Sequence, residues 1–73
     1  MKWTENNGKV VSRREKGYKA EISPSVSEPG SYVVWVYRYY CKTAAVGIAG
    51  TKMDSIEECK QYVAKVIQED IAA

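Results

Sequence analysis

Residues 32–40 read Tyr-Val-Val-Trp-Val-Tyr-Arg-Tyr-Tyr, nine residues with eight apolar or aromatic side chains and one charge. The segment holds five of the chain's eight aromatics, and its β-branched and aromatic make-up is that of a strand. Alternation sends Val33, Trp35, Tyr37, Tyr39 and Cys41 to one face and Tyr32, Val34, Val36, Arg38 and Tyr40 to the other. Both faces are apolar. One helix covers only one face of a small sheet, so the second needs cover from the chain's own arm or from a partner. The segment therefore predicts a central strand that also carries a binding surface.

The remaining sequence narrows what such a surface serves. A chain of 73 residues makes one domain, and at this size only about 60% of the unfolded surface is buried, so large aromatics matter to stability. The composition, 45% hydrophobic and 27% charged, is that of a folded domain rather than a disordered one. There is no histidine, which removes the usual acid–base catalyst and metal ligand. Cys41 and Cys59 stand 18 residues apart without a second metal-ligand pair, so no metal and no cofactor is expected. A disulfide between them stays open if strand and helix faces meet, although a reducing compartment opposes it. Residues 1–5 are charged and polar, unlike a signal peptide. The longest uncharged runs, 29–37 and 43–51, are nine residues each, too short to span a bilayer. The expected location is cytoplasmic, with no membrane partner.

Along the chain, residues 1–16 read as an N-terminal arm in which Asn7-Gly8 signals a short hairpin. Residues 18–22 alternate as a half-buried strand, with Tyr18, Ala20 and Ile22 inward and Lys19 and Glu21 outward. Pro24 through Gly30 form a turn, and the aromatic strand follows from about 31 to 42. Residues 43–49 read as a third strand of small residues, and residues 50–53 lead into a helix over about 55–71. Asp54 is its expected N-cap, with Glu57 three residues on completing a capping box. Ile56, Cys59, Val63, Val66 and Ile67 trace its apolar stripe. The prediction is one α+β domain: a three-stranded antiparallel sheet over 17–49 packed on one C-terminal helix, with Tyr18, Ala20, Ile22, Trp35, Val46, Ile48, Ile56, Cys59, Val63, Val66 and Ile67 as its core.

Few motifs carry chemistry. Gly47 to Lys52 precedes the helix, but its spacing is not that of a phosphate-binding loop. Asp54, Glu57 and Glu58 would repel phosphate from the helix N-terminus. Glu57 and Glu58, adjacent on a helix, diverge rather than converge on a substrate. With no nucleophile beside a base, the chain is expected not to be an enzyme. Charge is uneven: residues 1–52 carry nine Lys/Arg against four Asp/Glu, a net +5, and residues 53–73 carry two lysines against five acids, a net −3. Arg13, Arg14, Lys16 and Lys19, with Arg38 and Lys42, make a basic sheet half among tyrosines, suited to phosphate or to a protein interface. They read equally as edge charges that deter aggregation. Because a buried unpaired guanidinium is costly, Arg38 predicts that the Trp35 face packs on the helix. The expected partner-binding residues are therefore Arg13, Arg14, Lys19, Tyr32, Val34, Val36, Arg38, Tyr40 and Lys42.

Gly17-Tyr18-Lys19-Ala20, Tyr32-Val33-Val34-Trp35-Val36, Gly47-Ile48-Ala49 and the helix from Asp54 together resemble the AP2-like arm-binding domains of phage integrases. That resemblance, over about residues 17–70, implies a three-stranded sheet laid in the DNA major groove, although this chain carries no integrase domain and a weaker basic surface. The chain also looks like small phage and prophage orphan proteins with a tryptophan near the start, among them anti-CRISPR and other host-takeover inhibitors. This likeness implies a non-enzymatic inhibitor of a host protein or protein–nucleic-acid complex, in the host cytoplasm. Double-stranded DNA binding and self-association into a dimer through the open sheet faces are the alternatives.

Overall fold

The computed structural model describes residues 2–12 and 14–73. Asn7 and Gly8 take positive φ, 53° and 82°, the backbone of a two-residue turn whose twist matches paired strands. The turn joins β1 (Trp3–Asn6) to β2 (Lys9–Ser12). Then come β3 (Tyr18–Pro24), β4 (Tyr32–Tyr39), β5 (Ala45–Met53) and one helix, α1 (Ile56–Ala72). The strands form one antiparallel sheet in the order β1-β2-β3-β4-β5.

The α+β class, the antiparallel sheet and the C-terminal helix match expectation; the strand number does not. Five strands form rather than three, because the arm is a full hairpin whose β2 pairs Val10 with Ile22 and Val11 with Glu21. That ladder is short, and the buried Ser12 hydroxyl extends it by accepting the Ala20 N–H at 2.7 Å. Residues 50–53 also belong to the sheet: Gly50 pairs with Trp35 and Met53 with Tyr32. The helix starts one residue later than expected. Ser55, in extended conformation, is the N-cap, and its hydroxyl accepts the Glu58 N–H at 3.2 Å, while Glu57 and Glu58 complement the positive helix end.

The face of β4 that meets the helix is the reverse of the expected one. Val34 and Val36 are fully buried with Val10, Ala20 and Ile22, against Cys59 and Val63 of α1. Trp35 is 49% exposed. Burial of each large aliphatic in this layer contributes about 2 kcal/mol. Arg38 does not oppose this arrangement, because its guanidinium is not in the core. It sits at the rim with its side chain half exposed, 3.2 Å from Asp70 near the end of α1. Asp70 also accepts the Tyr18 hydroxyl at 2.5 Å, and Tyr18 is the cross-strand neighbour of Arg38. The charge is thus paired where water still reaches it.

A bulge changes β5 as well. Val36 faces Ala49 while Tyr37 faces Gly47, so Ile48 is the extra residue. Ile48 and Ala49 both pack toward the core, and Val46, an expected core residue, emerges opposite Arg38 at 48% exposure.

The Asp70 cluster sets a pH dependence. The Tyr18 hydrogen bond and then Arg38 hold the Asp70 carboxyl below its ordinary value of 3.8. A carboxylate with a depressed folded pKa stabilises above its unfolded value and loses that contribution as pH falls through the folded one. Asp70→Asn is expected to lower the urea midpoint near neutral pH. Its gap from wild type should close as pH drops below 3.8. A gap of constant size across that range would show that the charge does not matter.

Candidate functional site, the open sheet face

With Val34 and Val36 covered, the other face of the sheet has no helix on it. Register places Val33, Trp35, Tyr37 and Tyr39 along its middle, beside Ser23, Glu21 and Lys19 of β3. On the other side lie Lys52, Gly50, Gly47 and Ala45 of β5. The two glycines shape the surface. A Cβ on Gly50 would lie 2.5 Å from Cε3 and 2.7 Å from Cζ3 of Trp35, so the indole rests on bare backbone. The Tyr37 ring stands 3.9 Å from the same position at Gly47. The rings lean over a strand that offers no side chains there, and the Trp35 ring keeps one side toward solvent.

Arg14 closes the row. Its guanidinium lies 3.9 Å from the centre of the Tyr39 ring and donates to the carbonyl oxygens of Lys42 and Cys41, at 2.5 and 3.4 Å. One side chain thus fixes the loop after β4 and covers the last aromatic. Between Tyr39 and the β1–β2 hairpin lies a shallow basin of about 650 Å³ lined by Thr4, Val11, Arg14, Lys19 and Glu21. Burial, and then the nearby Glu21 carboxylate, push the Tyr37 hydroxyl above its ordinary value. Cys41 is exposed, and hydrogen bonding from Thr43 draws its thiol down, whereas burial pushes the Cys59 thiol up. Both cysteines are free.

The expected partner-binding residues divide. Arg14 and Lys19 lie on the open face, Lys42 sits exposed in the adjoining loop, and Tyr40 is 72% exposed just past β4. Tyr32 is half-buried against the core, and Arg38 is on the helix side, paired with Asp70. Val34 and Val36 are fully buried and are not available to a partner; Arg13 lies outside the described residues. Of the two candidates for covering the second face, the arm or a partner, the arm contributes little: Val10 is in the core, Trp3 packs on its edge, and Val11 lies on the open side. Trp35, Tyr37 and Tyr39 were missed as surface residues. Their signal was indirect: a strand with Gly47 and Gly50 beside an aromatic strand leaves room for rings to lie flat.

Other features are plainer. A groove of about 440 Å³ runs between α1 and the hairpin, lined by Trp3, Lys60, Ala64, Ile67 and Ile71, with the Lys60 ammonium 5.7 Å from the Trp3 ring centre. Among the described residues, no cluster of three or more His, Cys, Asp or Glu gathers to hold a metal, and no helix is long and apolar enough to cross a membrane. No protein-family model, no curated protein and no solved structure matches the chain.

Proposed function

We propose that this chain is a non-enzymatic binding module that docks on a protein, alone or within a protein–nucleic-acid complex, through the open face of its sheet and blocks that partner by occupancy. One observation carries the reading: Trp35, half exposed, heads a row of aromatics on the second strand from the edge of a sheet whose other face is already filled. Aromatics and arginine are the side chains that anchor protein interfaces, and here Arg14 stands at the end of the row. The rings are held by backbone and neighbours, so little freedom is lost when a partner covers them. Capture from lysate with wild type beside Trp35→Ala tests the idea. A specific protein retained by wild type and lost by the variant supports it. The same proteins on both, or nucleic acid alone, would overturn it.

Double-stranded DNA is the second reading, favoured by the separation of charge. Arg14, Lys19 and Lys42 lie on or beside the open face, while Glu57, Glu58 and Glu69 ride on the helix behind it. Two facts rank it lower. Lys52 is engaged by Glu28 at 3.0 Å, and Arg38 belongs to the other face. Three phosphate contacts imply that log affinity falls with log salt at a slope of about −3. A salt-insensitive or undetectable interaction would remove this alternative.

A further inference from the structure

The two edges of the sheet are unlike. β1 is four residues long, whereas β5 is nine residues with one charged side chain, Lys52, and its outer side has no neighbouring strand among the described residues. A long edge with so little charge is a template for another strand. We propose that the outer edge of β5 pairs antiparallel with β5 of a second copy of this chain, about a two-fold axis between Ile48 and Ala49. Three observations select that partner and that axis.

The first is the bulge. A bulge usually deters edge pairing by twisting the strand away, and it breaks strict alternation, so Gly47 and Gly50 share the open face while Val46, Ile48, Ala49 and Thr51 lie on the helix side. For the whole strand to pair, only a register that repeats the irregularity keeps faces matched. An axis between Ile48 and Ala49 does so. It sets Ala45 against Lys52, Val46 against Thr51, Gly47 against Gly50 and Ile48 against Ala49 of the other copy, each pair from the same face. The second is charge. Lys52 meets Ala45 rather than another lysine, and it is already paired with Glu28 within its own chain.

The third is the helix flank. Tyr62, Lys65, Val66 and Glu69 line a groove of about 490 Å³ with Ile48 and Ala49, directly over the β5 edge. The same two-fold runs the helices antiparallel, with Lys65 of each copy facing Glu69 of the other. A closed, self-complementary contact follows, as two-fold symmetry requires. This pairing does not depend on the proposed function, because its contacts are backbone edge and helix flank rather than the aromatic row.

Sedimentation equilibrium with residue-resolved amide exchange tests it. Wild type is expected to dimerise, with amides of β5 gaining protection as concentration rises while those of the β1 edge do not. Lys65→Glu and Glu69→Lys, both at exposed positions, should each weaken the dimer about ten-fold, because two attractive pairs become repulsive. The double variant Lys65→Glu/Glu69→Lys should restore it, and Trp35→Ala should leave it intact. A strict monomer at high concentration would overturn the proposal. So would a dimer with unprotected β5 amides, one lost on Trp35→Ala, or single reversals that dimerise like wild type.

Discussion

Ile22→Ala is expected to lower the melting temperature by roughly 15 °C, corresponding to about 3 kcal/mol in a domain of this size. Ile22 is 1% exposed and stands between Val10 and Val34 in the ladder, so the lost methylenes leave a hole that β-sheet neighbours cannot move to fill. Trp35→Ala removes a larger side chain yet should cost only about 1 kcal/mol, a few degrees, because half of the indole already faces water. Thermal unfolding followed by circular dichroism compares the two directly. The order of the effects is the result to watch: if Trp35→Ala proves the more damaging, it is the Trp35 row that packs on the helix.

The second large effect concerns binding. Trp35→Ala should weaken the captured complex at least about 30-fold, as loss of a central aromatic anchor does, although it barely alters stability. Gly50→Val separates the ring's position from its presence. The new Cβ would fall 2.5 Å from the indole, so Trp35 has to swing away while valine suits the strand. We expect a shifted Trp35 emission, an unchanged fold and weakened capture. Intact affinity after the ring has moved would mean that the partner does not use its present orientation.

Much of the architecture was legible because periodicity reports which residues share a face. Tyr18, Ala20 and Ile22 were recognised as one buried row, and Cys59 and Val63 as the helix stripe that meets it. Periodicity does not say which of two apolar rows goes inward. On β4 the decision turned on Arg38, and its rescue depended on Asp70, 32 residues away, a pairing that no local pattern announces. The hairpin was visible as a turn at Asn7-Gly8, but its strands of four residues each are too short to show alternation. In β5 the bulge at Ile48 disrupts the period-two signal, which hid both the strand's true length and the exposure of Val46. The site inherited these errors. Lys19 was correctly outward, while Val34 and Val36 changed places with Trp35 and Tyr37.

The order of the strands has a consequence for how the domain is made. Every strand pairs with its neighbour in sequence, so each closure spans a short loop and the sheet can assemble hairpin by hairpin, with little chain entropy lost at each step. The helix that covers Val34 and Val36 follows all five strands in the chain. Until it docks, the sheet is bare on both sides, with the long β5 edge open as well. The helix sequence compensates by being ready early, with Ser55 and the acidic first turn favouring it before it docks. The species most open to aggregation is therefore the one in which the sheet has formed and the helix has not yet docked.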